Sequence, residues 1–350
     1  MTNGKKELVL LVHTMNRGGA SKVLTLIANH YIEKGWKVTF IVQHAINLYD
    51  MSPEIKLIEL GNKEGDYPKL KFMAYVRKYV KENKPTTVLS FIDIINMLTI
   101  VGTRGLKTKV IVSERNDISL AVAKWKYIAT KILYKYADLV VFQSRKVQSY
   151  YSKKTQDKSL VIVNPIEIKC PAAEVREHRI VNSGRLTGQK NQKMLINAFA
   201  RLYKEHPEYS LTIYGEGELR GDLENQVKEL GIENAVSLPG NVLNIHEKIA
   251  NAEIFALSSD FEGLSNALLE SMMMGLTCVS TKCAGSTDVI RNHENGMLVD
   301  VGSEDQMYEA LKWLVENPEK CAEYGRQAAS DAQAFRKETI LAKWDEILEA

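Results

Sequence analysis

Two glutamates eight positions apart, Glu262 and Glu270, and two cations five apart, Arg185 and Lys190, are the residues best suited to chemistry. The cations stand in Gly184-Arg185-Leu186-Thr187-Gly188-Gln189-Lys190, just after an apolar run. A planar guanidinium and a mobile ammonium around a glycine turn suit a diphosphate. Glu262 lies in the loop Phe261-Glu262-Gly263-Leu264, and Ser265 can N-cap a helix that carries Glu270 on its second turn and continues to Met274. Such a loop can offer backbone N–H groups to a phosphate and carboxylates to sugar hydroxyls. Gly18-Gly19 follows another apolar run and opens a helix, where free N–H groups and the helix dipole favour an anion. The pattern is not G-x-G-x-x-G, which disfavours a nicotinamide-dependent dehydrogenase. Tyr214-Gly215-Glu216-Gly217 and Pro239-Gly240-Asn241-Val242 read as turns by composition.

These residues need a scaffold, and the chain alternates short β-branched runs with longer helical patterns. Strands are expected near 7–13, 37–43, 87–92, 109–113, 138–142, 160–163, 179–183, 210–214, 235–238, 253–258, 277–280 and 297–299. Helical periods run from Ala20 to Lys34, Pro68 to Asn83, Asn191 to Glu205 and Ser265 to Met274. Several runs are apolar on consecutive residues, such as Leu139-Val140-Val141-Phe142, as in parallel strands covered on both faces. Alternation of this kind implies right-handed βαβ units in doubly wound sheets, and so many strands divide more naturally into two sheets than one. The best boundary runs from Val163-Asn164-Pro165-Ile166 through Cys170-Pro171-Ala172-Ala173, with a final helix from about Asp331 to Ala350. The expected division is 1–164, 165–330 and 331–350.

Charge changes sign at the same place. Residues 1–164 hold 27 Lys and Arg against 13 Asp and Glu, whereas residues 165–350 hold 19 against 30. The basic half should meet something anionic. Within it, Ser119 to Lys158 carries nine basic residues against two acidic ones, interleaved with Trp125, Tyr127, Tyr134 and Tyr136. That mixture suits an anionic bilayer surface, with solvated helix faces the plainer alternative. Nucleic acid is disfavoured, because no recognition motif accompanies the charge. Four cysteines (Cys170, Cys278, Cys283, Cys321) show no metal-ligand spacing and read as reduced thiols of a cytosolic protein. The opening run Leu8-Val9-Leu10-Leu11-Val12 is too short for a signal sequence, and no run approaches the ~18 apolar residues of a membrane span.

The ordered set resembles family 4 of the retaining nucleotide-sugar glycosyltransferases, which have the GT-B fold. It comprises Gly18-Gly19, Arg185 with Lys190, the Gly215 turn, Pro239-Gly240-Asn241-Val242, the E-x7-E pair Glu262 and Glu270, Ala284-Gly285-Ser286 and Asn295-Gly296. The resemblance implies an α/β protein of two Rossmann-like domains facing a cleft, the second holding the donor and the first the acceptor, with the C-terminal helix crossing back to the first domain. Arg185 and Lys190 then match a diphosphate clamp. Glu262 matches the glutamate that holds the donor sugar, beside the backbone of Gly263, Leu264 and Ser265. Glu270 matches the ribose ligand, and Asn241 and Val242 fall where the backbone meets the base.

No metal or other cofactor is expected from the resemblance. It implies transfer of a hexose or N-acetylhexosamine from a nucleotide sugar, with UDP favoured, to a glycan or polyprenyl-diphosphate-linked acceptor. The product would be a surface polysaccharide such as capsule or lipopolysaccharide, made at the inner face of the cell membrane. One departure stands out. Many members carry a histidine after a first-domain strand, whereas the matching run here, Val112-Ser113-Glu114-Arg115-Asn116-Asp117, has none. Glu114 or Asp117 could meet the acceptor instead, Arg115 could bind an acceptor phosphate, and Asn116 lies between them; a polar strand-end loop is the alternative. His13 is a candidate by position only, and a structural role suits it better. The rival readings are a partner subunit without transferase activity and a GT-B epimerase or phosphorylase.

Overall fold

The structure, a computed structural model, describes residues 5–349 apart from 16–18, 47–49, 63–64, 116–123, 169, 171–172 and 174. Two units emerge: residues 1–165 with 338–350, and residues 166–337.

The first unit is built on strands β1 (Glu7–Met15), β2 (Lys37–Ala45), β3 (Lys56–Glu59), β4 (Thr87–Phe91), β5 (Lys109–Ser113), β6 (Leu139–Phe142) and β7 (Ser159–Val161). They pair in parallel in the order β3-β2-β1-β4-β5-β6-β7. Central β1 shows why its sequence is continuously apolar. Leu8, Leu10 and Val12 face one core with the helix Gly19–Glu33, and Val9 and Leu11 face another with the helix Lys69–Asn83. A strand with helices on both faces has no polar side. The strand β3 was not expected from the sequence. It is a four-residue edge strand with Lys56 and Glu59 exposed, so it lacks the apolar run that marks its neighbours.

The second unit holds β8 (Glu177–Ser183), β9 (Ser210–Tyr214), β10 (Val236–Gly240), β11 (Ala252–Leu257), β12 (Thr277–Thr281) and β13 (Met297–Val299). The order is β10-β9-β8-β11-β12-β13, again all parallel. Pro239 is tolerated in β10 because that strand is at the sheet edge. In both sheets the strand order reverses beside the first strand, between β1 and β4 and between β8 and β11. Ligands of open α/β sheets bind at the carboxyl ends of the strands at such a switch point.

The last helix, Lys337–Leu348, buries Ile340, Leu341, Trp344, Ile347 and Leu348 in the first unit's core. Asp345 fixes it there, accepting from the Tyr31 hydroxyl at 2.8 Å and lying 2.9 Å from both His30 Nε2 and Lys34 Nζ. The helix starts later than the sequence indicates, because Asp331 is held in the second unit. Arg291 Nη2 lies 2.8 Å from its carboxylate and Asn295 Nδ2 donates to it at 2.7 Å.

Candidate functional site

Arg185 and Lys190 follow β8, and Glu262 follows β11, so both groups stand at the carboxyl end of the second sheet beside its switch point. The two loops are bound together. Lys190 and Glu262 form an ion pair with side chains only 14% and 12% exposed. Ser259 Oγ donates to the same Glu262 oxygen at 3.1 Å, and Ser258 Oγ donates to the Lys190 carbonyl at 2.8 Å. The Asp260 N–H donates to the Gln189 carbonyl at 2.9 Å, Gln189 Nε2 to the Phe261 carbonyl at 2.9 Å, and Asn191 Nδ2 to Asp260 Oδ1 at 2.8 Å. Asn191 also caps the helix Gln192–Glu205 from a left-handed conformation, φ 45°, accepting from the Met194 N–H. Arg185 is exposed and makes no ion pair among the described residues.

Ser265 caps the helix Asn266–Met273, its hydroxyl accepting from the Leu268 N–H at 3.4 Å. A helix start leaves first-turn N–H groups outside the intrahelical ladder, so this end favours an anion. Glu270, on the second turn, is buried, with His246 Nε2 3.4 Å from its Oε2.

Two glycines of the sequence pattern have steric reasons. Gly215 adopts φ 139°, and a Cβ there would meet the Gly184 carbonyl oxygen at 2.0 Å. A Cβ on Gly285 would meet the Gly263 oxygen at 2.1 Å and Leu264 Cα at 2.6 Å, so the Ala284-Gly285-Ser286 segment backs directly onto the E-x7-E loop. Asn241 is exposed and Val242 half-buried, after the end of β10. Burial pushes the nearby Cys283 thiol up to about 11, against hydrogen bonding from Thr281, which fits an inert buried cysteine.

In the first unit the two charged residues after β5 are both buried. Glu114 is buried, and its Oε2 accepts from the Tyr134 hydroxyl at 2.6 Å. Asn96 Nδ2 donates to that same hydroxyl at 2.9 Å. These bonds hold the Tyr134 ring inside the fold. Arg115 is buried too, with its guanidinium 4.2 Å from the Phe91 ring centroid and 5.7 Å from that of Trp344, and Nη1 donating to Asn164 Oδ1 at 2.9 Å. Burial pushes that guanidinium down to about 9, against the raising effect of Glu114. Asn116, Asp117 and Gly18 lie outside the described residues; Gly19 begins its helix. His13 is half-exposed, with Nε2 2.9 Å from Asp66 Oδ2, and His44 Nε2 lies 2.8 Å from the other oxygen of that carboxylate.

The basic stretch has a feature that its charge conceals. On the helix Lys124–Leu133 and the turn after it, Trp125, Ile128, Ile132 and Tyr136 are 58, 56, 50 and 50% exposed. Their spacing of three, four and four places them on one stripe. Lys124, Lys131 and Lys135 are available to flank it, but Lys126 is not, since its Nζ pairs with Asp93 at 3.1 Å. Among the described residues no helix is long and apolar enough to cross a membrane.

The family model for glycosyl transferases group 1 matches residues 165–331. A Campylobacter jejuni relative is 30% identical over 97% of both chains. The chain belongs to the group 1 glycosyl transferases. That relative is a GalNAc-alpha-(1->4)-GalNAc-alpha-(1->3)-diNAcBac-PP-undecaprenol alpha-1,4-N-acetyl-D-galactosaminyltransferase. A second Campylobacter jejuni protein, an N-acetylgalactosamine-N,N'-diacetylbacillosaminyl-diphospho-undecaprenol 4-alpha-N-acetylgalactosaminyltransferase, is 27% identical over 96% of this chain and 97% of its own. The crystal structure of Anabaena HepE in complex with UDP superposes with TM-score 0.84 at 19% identity, covering 98% of this chain and 99% of that one. As a group 1 glycosyltransferase, the chain has the two-domain α/β architecture called GT-B.

Two groups of residues in this glycosyltransferase site escape a reading of the sequence. Ser258, Ser259 and Asp260 follow an apolar strand directly, and that position was their signal. His246 gives less away: it is one polar residue in a short helix beyond Pro239-Gly240-Asn241-Val242.

Proposed function

We propose that this glycosyltransferase moves a hexose or N-acetylhexosamine from a UDP-sugar to a glycan or polyprenyl-diphosphate-linked acceptor in surface polysaccharide synthesis, with retention of anomeric configuration and without a metal. The paired loops of Lys190 and Glu262 at the carboxyl end of the second sheet carry the reading. Arg185 and Lys190 bind the diphosphate, assisted by the helix N-terminus at Ser265. Glu262 and the backbone from Gly263 to Ser265 hold the sugar, Glu270 the ribose, and Gly215, Asn241 and Val242 the nucleoside end. In a front-face displacement the bond from the anomeric carbon to the diphosphate oxygen breaks as the acceptor oxygen bonds on the same face. The acceptor proton passes to the departing diphosphate, and the two cations stabilise the charge that develops there. Names of the Campylobacter jejuni relatives support the lipid-linked acceptor and N-acetylhexosamine. The UDP complex of HepE supports the nucleotide.

The acceptor reading extends to the membrane. Exposed Trp125, Ile128 and Ile132, flanked by lysines on a strongly basic half, have the chemistry of a helix that lies in an anionic bilayer surface. This would hold the protein peripherally at the inner leaflet.

A panel of nucleotide sugars, read by UDP release with and without a polyprenyl-diphosphate glycan, tests the activity. Acceptor-dependent release from a UDP-hexose or UDP-N-acetylhexosamine is expected, falling about 10²–10³-fold in Arg185→Ala. No release from any donor would instead favour a silent partner subunit, and an epimerised donor an epimerase.

A further inference from the structure

Glu270 is buried on the second turn of its helix. A carboxylate taken out of water must be compensated, or it reorients or takes up a proton. One residue facing it is His246, whose Nε2 lies 3.4 Å from Glu270 Oε2, each side chain being 9% exposed. His246 belongs to the helix Ile245–Ile249, which begins three residues beyond Val242. The chain that leaves the turn assigned to the base thus brings an imidazole back against the glutamate assigned to the ribose.

We propose that His246 is a positioning residue for nucleotide recognition, orienting Glu270 so that its carboxylate accepts from the ribose hydroxyls. The inference rests on the assignment of Glu270 to ribose made under the proposed function. The 3.4 Å approach is an ion-pair contact and not a formed hydrogen bond; with hydrogen on Nε2, a small turn of the ring would direct a donor at Oε2 and leave Oε1 for the sugar. His246 touches no reacting atom, so its effect should appear only in ligands that possess those hydroxyls. It would also link the base turn to the ribose site, because the short segment 241–246 then acts on the same nucleoside directly at Asn241 and Val242 and through Glu270 at His246.

Calorimetry on the full-length protein tests this with UDP and 2′,3′-dideoxyuridine diphosphate, comparing wild type, His246→Phe, His246→Gln and Glu270→Ala. Phenylalanine keeps the ring's bulk without a donor, and glutamine keeps an N–H donor. The wild type should prefer UDP over the dideoxy analogue by roughly tenfold to a hundredfold, the range for a hydrogen bond to a charged group. His246→Phe should lose most of that preference while binding the dideoxy analogue as the wild type does, and His246→Gln should recover part of it. Equal weakening of both ligands in His246→Phe would show a merely structural residue and overturn the inference. So would a preference that Glu270→Ala abolishes and His246→Phe leaves intact. A wild type indifferent to the ribose hydroxyls would overturn the ribose assignment, and the inference with it.

Discussion

Lys190 and Glu262 neutralise each other across the two strand-end loops of the second unit, 72 residues apart in sequence, with both side chains nearly out of solvent. The cation proposed for the diphosphate and the carboxylate proposed for the sugar are therefore one electrostatic unit. On the proposed assignment, a diphosphate arriving at Lys190 would compete with Glu262 for the ammonium, coupling phosphate binding to the freedom of the sugar's carboxylate.

That coupling can be measured by a double-mutant cycle. Lys190→Ala strands a largely buried carboxylate, and Glu262→Ala strands a largely buried ammonium. Each should destabilise the fold in urea, and the double mutant should cost less than the sum, with a coupling energy of about 1–2 kcal/mol. Additive losses would mean that the pair contributes nothing in solution.

Gly285→Ala should damage activity from behind the site. Its new methyl would press on the Gly263 oxygen and displace the loop that carries Glu262. Overpacking of this kind costs about 1–3 kcal/mol. The expected result is a lower melting temperature together with a lower kcat. Full activity at wild-type stability would show that the loop does not need this backing.

Acid should loosen the C-terminal helix. Burial would raise the Asp345 pKa, but Lys34, Tyr31 and His30 outweigh it and hold the carboxyl below its ordinary value. A depressed carboxylate pKa contributes stability that is complete above the unfolded value of about 3.9 and is lost as pH falls through the folded one. The stability difference between wild type and Asp345→Asn should therefore be largest near pH 6 and shrink towards pH 3. A difference independent of pH would exclude this ionic contribution.

The proposed membrane docking would have separable polar and apolar parts. Each lysine near an anionic leaflet contributes about 1 kcal/mol, screened by salt. Lys124, Lys131 and Lys135 changed to Glu should abolish co-sedimentation with anionic vesicles, and leaving Lys126 intact keeps its pair with Asp93. Trp125→Ser with Ile128→Ser and Ile132→Ser should weaken binding even at low salt. Unchanged binding in both triple mutants would refute docking through this helix, and a concentration-dependent dimer lost in the apolar mutant would identify the stripe as a contact between two copies. Nucleotide affinity should stay at the wild-type level throughout.

The sequence made the scaffold legible where apolar runs ended in glycine turns. Arg185, Lys190, Glu262 and Ser265 could be found because each follows a recognisable strand or opens a helix. What it hid was pairing at long range and the direction of side chains. Nothing in Val112-Ser113-Glu114-Arg115 shows that both charged groups turn inward, Glu114 to Tyr134 and Arg115 to Asn164. Nor does the period of Trp125, Ile128 and Ile132 reveal an outward stripe, since the same spacing on another helix would be core. Edge strand β3 and His246 were missed because single short segments carry almost no periodicity.

The most direct measurement is proton NMR of the anomeric signal as the sugar leaves an α-linked UDP-hexose or UDP-N-acetylhexosamine for a polyprenyl-diphosphate glycan. The expected product is α-linked from its first appearance, formed by the wild type and at least a hundredfold more slowly by Lys190→Ala, about the loss of one donor to the developing charge. A β-linked product, or transfer at an undiminished rate in that mutant, would contradict retaining transfer at the Lys190 and Glu262 site.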